Sequence, residues 1–353
     1  MNVLILNHTK ISKNWGADAS AQALENIFGS NKNLVESIVT HSLRPKVFIP
    51  ERFASMSRNR VVWHILQFFY KRFGSVKFPE VAVEFDEFAK QWNMSNNPML
   101  TKIISADLIV HNGQNSMSRS VSSRSALRSI FLCYLAKRYY NKKVISINST
   151  VYFDPFDNFE LQAACQKVLP LLDYVSVRDP RSLKAVRNKI SLEVDLVPDP
   201  VLTLMPYHQK QHSRQENRIY ISEGEYKINN YFFEKLLVHL RACFPDHVLY
   251  GLIRDKQNLG FRELCKKNGI KCYVSEDGWN DFFRITSSSD IHLTGRYHYA
   301  VMSVINRNHF IPIQTHSPKI HGFTELVYGN DIRVIDARLE SQFDQLPDIL
   351  REY

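Results

Sequence analysis

Gly295-Arg296-Tyr297-His298 carries the two side chains best suited to chemistry in this chain. A short stretch, Asp290-Ile291-His292-Leu293-Thr294, leads into Gly295, and apolar residues follow at Val301, Met302, Val304 and Ile305. That pattern predicts a buried strand, a sharp turn and then a helix. Arg296 and His298 therefore fall at a helix N-terminus, where free backbone N–H groups and the helix dipole favour an anion. The planar guanidinium of Arg matches a carboxylate or phosphate. His exchanges a proton near neutral pH. The structural alternative is a surface Arg and a helix-start His with local partners.

Other polar residues fall at similar places. Asn14-Trp15-Gly16-Ala17-Asp18 separates the apolar run Val3-Leu4-Ile5-Leu6 from an apolar-striped helix over about 19–28. From Ala106 a strand–helix rhythm sets in. Its strands end at His111-Asn112-Gly113-Gln114-Asn115, at Asn148-Ser149-Thr150, at Arg178-Asp179 and at Pro198-Asp199-Pro200. Strands alternating with helices imply a parallel sheet, and in such sheets ligands sit beyond the carboxyl ends of the strands. Residues 206–217 are polar without apolar periodicity and read as a linker. A second strand–helix rhythm runs from Arg218 onward, with further strands near 247–253, 271–274, 310–313 and 333–335. The chain thus divides into an α/β half over 1–205, a linker over 206–217 and a second α/β half over 218–353, with a cleft between the halves as the expected site.

The chain has 353 residues, enough for two domains of ordinary size. Its formal net charge of +10 points to an acidic partner: phosphorylated small molecules, an anionic membrane surface or nucleic acid. The basic residues are dispersed and no nucleic-acid module is recognisable, which places nucleic acid last. The five cysteines form no CxxC pair and read as reduced core thiols of a cytoplasmic protein. No apolar run is long enough to span a membrane, and Met1-Asn2-Val3-Leu4-Ile5-Leu6, which passes straight into polar residues, is not expected to be a signal peptide. Residues 61–73 are aromatic with a basic end. They fit either a core helix with a cationic last turn or an interfacial helix on anionic lipid.

In order along the chain stand Asn14-x-Gly16-x-Asp18, Ala106-Asp107-Leu108-Ile109, Val177-Arg178-Asp179-x-x-Ser182, Val197-Pro198-Asp199-Pro200, and Gly295-Arg296-x-His298 followed by Pro312 and Lys319. This ordered set resembles the polysaccharide pyruvyl transferase family over nearly the whole chain. There are two departures. The turn at Asn112-Gly113-Gln114 stands where the family often has consecutive glycines, and Tyr299 stands where Gly is frequent. Both are expected to add bulk near the cleft.

The resemblance implies two Rossmann-like domains with an interdomain cleft, similar to the glycosyltransferase-B architecture. It implies transfer of a pyruvyl group from phosphoenolpyruvate, as co-substrate, to two hydroxyls of a saccharide acceptor, with a lipid-linked precursor as one form of that acceptor. No cofactor and no metal are expected. Arg296, Arg178, Lys319 and Gly295 are then the expected donor-binding set. His298 is the expected acid/base, with Asp18 or Asp199 stabilising positive charge. Asn14, Gly16, Asn112, Gly113, Asn115 and Asp199 would line the cleft. Each has a structural alternative: a helix-start ion pair for Arg178 and Asp179, a turn cap for Asp199, a solvated helix position for Lys319, a helix N-cap for Asp18 and a loop role for Asn14. A glycosyltransferase with a nucleotide-sugar donor would use the same cleft, and the absence of a DxD triplet makes that version metal-independent. A non-catalytic glycan-binding relative is the third reading.

Overall fold

The structure is a computed structural model that describes residues 1–8, 15–29, 34–38, 78–94, 98–117, 123–153, 159–204, 217–222, 230–253, 259–274, 279–287, 291–313, 319–329, 333–335 and 345–351. Asn14, the aromatic stretch 61–73 and all of the expected linker except Asn217 lie outside these residues.

The first half runs β1 (Asn2–Leu6), α1 (Trp15–Gly29), β2 (Leu34–Ile38), α2 (Phe85–Asn93), α3 (Pro98–Ser105), β3 (Leu108–Met117), α4 (Ser123–Tyr140), β4 (Lys143–Val151), α5 (Phe159–Val168), β5 (Tyr174–Val177), α6 (Pro180–Ile190) and β6 (Asp195–Leu196). Its strands form one parallel sheet in the order β2-β1-β3-β4-β5-β6. Alternate residues of β1 serve opposite faces. Val3 and Ile5 join Leu24 of α1, whereas Leu4 and Leu6 join the larger core under α4. A strand apolar on both sides needs helices on both faces, which is the doubly wound arrangement.

A 3₁₀ turn, Pro200–Leu204, ends the first half. The second half runs β7 (Arg218–Ser222), α7 (Asn230–Cys243), β8 (Val248–Ile253), α8 (Leu259–Lys267), β9 (Lys271–Val274), α9 (Trp279–Thr286), β10 (Ile291–Thr294), α10 (Tyr297–Ile305), β11 (His309–Pro312), α11 (Lys319–Tyr328) and α12 (Leu346–Arg351). Its parallel sheet has the order β11-β10-β7-β8-β9. Ile219 and Ile221 of β7 face one core and Tyr220 faces another. The architecture is therefore α/β with two Rossmann-like sheets.

Strand order reverses between β1 and β3 in the first sheet and between β7 and β10 in the second. Those reversals open crevices at the carboxyl ends of the strands. α1 spans the two halves. Its Leu24 packs on the first sheet, while Ala19 and Ala23 join a core with Tyr220, Tyr297 and Val301 of the second half. Small alanine side chains let α1 approach α9 and α10 closely.

Several boundaries differ from the sequence expectation. β3 does not turn at Asn112 but pairs with β4 through to Met117, with a register irregularity after Gln114. α1 begins at Trp15, which takes Gly16 and Asp18 inside the helix, so Asp18 is not its N-cap. The expected final strand is reduced to one bridge, Ile313 to Ile335. Tyr299 does not enter a cleft. Its ring is 2% exposed and lies against Phe282 and His292 in the core of the second half.

Candidate active site

Asparagines tie the carboxyl end of β1 to β3 and β4. Asn7 and Asn148 adopt left-handed backbone conformations, φ 60° and 56°, which Asn tolerates better than most residues. Asn7 donates from its amide to the Asn112 carbonyl at 2.8 Å. Asn148 donates to Asn112 Oδ1 and to Ser20 Oγ of α1, each at 3.0 Å. Gly113 is required by close approach, since a β-carbon there would lie 2.8 Å from the Ser149 Cα. The polar groups at the reversal of the first sheet are thus mutually satisfied and fix α1 above it.

Arg178, at the end of β5, is fully buried. Its Nε donates to Thr150 Oγ1 at 2.7 Å, and its Nη1 donates to Asp199 Oδ2 at 2.9 Å, with Asn148 Oδ1 at 3.4 Å. The ring of Tyr297, from α10 of the other half, covers the guanidinium at 3.8 Å. A charge so enclosed survives because a carboxylate and an aromatic face compensate it. The expected helix-start pair of Arg178 with Asp179 is replaced by the pair with Asp199. Asp179 instead caps α6, accepting from the Ser182 N–H and hydroxyl, each at 2.8 Å. Arg178, expected to grip a donor, is 0% exposed and presents no open surface.

His298 crosses between the halves. It belongs to α10, yet it packs on Gly16 of α1. A β-carbon on Gly16 would lie 2.2 Å from its Cγ and Nδ1 and 2.3 Å from its Cβ. On the other edge, its Nε2 lies 3.5 Å from Asp199 Oδ2. That is the long limit of a hydrogen bond, so the contact is a close approach more than a completed bond. Burial pulls the His298 imidazole below its ordinary range; Asp199 pulls it back, and Arg178 and Lys319 push it down again. Burial pushes Asp199 up, but His298 and Arg178 outweigh it and hold the carboxyl low. The resting pair is a neutral imidazole beside an ionised carboxylate.

Lys319 opens α11 and is only 5% exposed, so it is not a solvated helix position. Its charge is felt at His298. α11 also meets α6: a β-carbon on Gly322 would lie 2.5 Å from Asp179 Oδ1, and Arg181 pairs with Glu325 at 2.5 Å. These contacts hold the two halves together beside the His298–Asp199 pair.

Arg296 is the N-cap residue of α10, partly exposed, with extended backbone and no side-chain cap. Thr294 Oγ1 accepts from the Arg296 N–H at 3.0 Å and from Ser222 Oγ at 2.7 Å, tying the ends of β10 and β7. The guanidinium stands 5.9 Å above the Tyr299 ring, so the bulk expected near the cleft lies beneath Arg296. Gly295 is buried between strand and cap.

The structure brings together His298, Asp199, Arg178, Lys319 and Gly16, with Asn112 and Gly113 nearby within β3. Asp18 lies in the first turn of α1 and is partly exposed. Asn115 lies within β3, but its side chain is outside the described set, as is Asn14. Sequence reasoning gave no role to Tyr297 or Ser20, and named Thr150 only as part of a strand end. Tyr297 sits between Arg296 and His298, yet only the packing of the two halves reveals that it covers Arg178. Among the described residues no cluster of His, Cys, Asp or Glu could hold a metal ion, and no helix is long and apolar enough to cross a membrane. A separate hollow of about 360 Å³, lined by Leu172, Tyr174, Val194 and neighbours, opens at the amino ends of β5 and β6, away from this cluster.

Comparison with known proteins gives both family and fold. The sequence pattern described as polysaccharide pyruvyl transferase matches residues 16–317. No curated protein sequence matches the chain. Among solved structures, S. aureus MnaA with UDP is 13% identical, with a TM-score of 0.57 over 99% of this chain and 87% of that one. Phytolacca americana UGT2 with UDP-2fluoro-glucose and pterostilbene is 11% identical, with a TM-score of 0.54 over 99% and 89%. Methanocaldococcus jannaschii UDP-GlcNAc 2-epimerase with UDP-GlcNAc and UDP is 11% identical, with a TM-score of 0.51 over 100% and 92%. At such identities the likeness is one of fold, and the fold is similar to the glycosyltransferase-B architecture.

Proposed function

Because this chain belongs to the polysaccharide pyruvyl transferase family, we propose that it transfers a pyruvyl group from phosphoenolpyruvate to two hydroxyls of one saccharide, forming a cyclic ketal. The observation that carries this reading is the docking of His298 between Gly16 and Asp199, at the reversal of one sheet and the helix start of the other. No tightly bound cofactor or metal enters the reaction.

Protonation of the methylene carbon of the donor makes carbon 2 an oxocarbenium centre. One acceptor hydroxyl adds there and loses its proton. Phosphate then leaves, and the second hydroxyl closes the ketal and loses its own proton. The net change is two hydroxyl protons lost, one gained by the methylene carbon and the other carried away on the released phosphate. With Asp199 ionised, the neutral imidazole carries its proton on Nε2, facing the carboxylate. Nδ1 is then the basic nitrogen that exchanges protons with donor and acceptor. Arg178 acts through Asp199, holding it charged, and is a positioning residue. Arg296 and Lys319 supply cations for the carboxylate and phosphate, and the N-terminus of α10 adds backbone N–H groups. Asp18, in the first turn of α1, would stabilise positive charge on the acceptor side.

The acceptor is a saccharide of a cell-surface polysaccharide or of its lipid-linked precursor, met at the inner face of a membrane. The +10 charge supports attachment to anionic lipid. Acidic-lipid vesicles should retain the protein at low salt and release it at high salt; retention that ignores salt would contradict this.

Incubation with phosphoenolpyruvate or with UDP-sugars, together with galactose- or mannosamine-containing acceptors, tests the donor. Acceptor-dependent phosphate release from phosphoenolpyruvate is expected. UDP release would favour a glycosyltransferase instead, a reading that rests on the UDP-bound proteins sharing this fold. Neither release, with saccharide still bound, would leave a glycan-binding relative.

A further inference from the structure

Gly251 of β8, Cys272 of β9 and Cys265 of α8 meet at one point in the second half. Gly251 and Cys272 are partners on adjacent strands, and α8 packs across both. A β-carbon on Gly251 would lie 2.7 Å from Cys265 Sγ and 2.8 Å from Cys272 Sγ. The two sulfurs therefore share the niche that any side chain at 251 would fill. Each thiol influences the other's ionisation. β9 is an edge strand, and Cys272 is partly exposed on it, while Cys265 is fully buried behind. The other cysteines differ. Cys133 and Cys165 are buried, and burial pushes both thiols up. Cys243 is partly exposed, its sulfur 4.0 Å from the Pro347 carbonyl.

We infer that Cys265 and Cys272 are a site of reversible oxidation, forming an intramolecular disulfide on exposure to a peroxide. The reacting form is a thiolate, and Cys272 is the better one. The neighbouring Cys265 sulfur lowers its thiol, burial opposes this, and the charge of Arg262 adds to the lowering. In the first step Cys272 Sγ attacks one peroxide oxygen. An S–O bond forms, the O–O bond breaks, and the departing hydroxide leaves as water. In the second step Cys265 Sγ attacks the oxidised sulfur. The S–S bond forms, the S–O bond breaks, and the proton of Cys265 leaves with that oxygen as a second water. Two thiols lose two electrons and two protons, and one hydrogen peroxide becomes two waters. Cys265 needs no access to solvent for its part, because its partner sulfur shares the same niche. A thiol reductant reverses the sequence.

The test treats the full chain with hydrogen peroxide, alkylates the remaining thiols after unfolding, and maps the peptides by mass spectrometry. A Cys265–Cys272 linked pair two hydrogens lighter is expected, lost on dithiothreitol, with Cys133, Cys165 and Cys243 still alkylated. Cys265→Ser should leave Cys272 as a sulfenic acid that a dimedone probe traps. Cys272→Ser should slow oxidation of Cys265 at least tenfold. Absence of the linked pair in the wild-type chain overturns the proposal, as does Cys243 reacting as fast as Cys272. The wild-type measurement decides this even if a variant fails to fold.

Discussion

His298 Nε2 stands 3.5 Å from Asp199 Oδ2, although one residue follows a strand of the second sheet and the other follows a strand of the first. Arg178 holds the same carboxylate oxygen at 2.9 Å, and Tyr297 reaches back across the seam to cover Arg178. Neither half alone contains this group. Its geometry depends on how closely α10 and α11 approach α1 and α6.

Gly16 sets how far the His298 ring can sit from α1. In Gly16→Ala the new methyl would meet His298 at its ring and at its Cβ, so ring rotation alone cannot relieve the clash. α10 must shift relative to α1. A misplacement of about 1 Å in a reacting group costs roughly 10²-fold in rate. We expect kcat to fall on that order, with helix and strand content unchanged by circular dichroism, since Ala is favoured inside a helix.

Arg178 and Arg296 should separate into two kinds of defect. Arg178→Met leaves Asp199 buried without its cation, and breaking a buried pair costs about 3–5 kcal/mol, so the midpoint of denaturant unfolding should drop clearly. Arg296 is partly exposed, and Arg296→Ala should leave that midpoint nearly unchanged. Its lost charge-assisted contact, roughly 1.5–3 kcal/mol, should instead raise donor KM about tenfold or more. Arg296→Lys should recover part of this, because Lys cannot fork. A stable Arg178→Met variant with raised donor KM would reverse the assignment.

Much of this was legible in the sequence. Strand–helix alternation gave two α/β halves, and the polar residues at strand ends fell beside the sheet reversals. The burial of Arg178 was not legible, because its cover, Tyr297, lies in the other half and no local spacing links the two. Nor was the course of β3, where Asn112-Gly113-Gln114 reads as a turn but stays paired with β4. Asn tolerates the left-handed backbone at position 7, just past β1, and at position 148, inside β4, so neither place carries a glycine that would mark it in the sequence. Gly16 could be picked out as a loop glycine, but its reason, the ring of His298 against it, is a contact between halves.

Acid should destabilise the fold through two histidines outside the site. His111 is buried between Ser146 and Ser129, and burial holds it at about 4; His292, beside Ser303, is held at about 3. Both values are depressed below the ordinary 6.5, so the unfolded chain binds more protons in acid. Their contribution is fully present above pH 6.5 and is lost as pH falls through the folded values. Each can tilt stability by roughly 1.4 kcal/mol per pH unit in that window. The unfolding midpoint should decline from about pH 6.5 toward pH 4. His111→Gln, which does not titrate there, should flatten the slope; an unchanged slope would exclude this source.

The role of His298 is measured most directly by comparing kcat and donor KM of phosphate release in wild type, His298→Ala and His298→Gln, with phosphoenolpyruvate and an acceptor saccharide. A proton-transferring His298 predicts a kcat loss of about 10²–10⁴-fold in both variants with donor KM little changed, because Gln can hydrogen-bond to Asp199 but cannot exchange a proton. A Gln variant within a few-fold of wild-type kcat, with its loss appearing in KM, would contradict the account and leave His298 as a binding residue only.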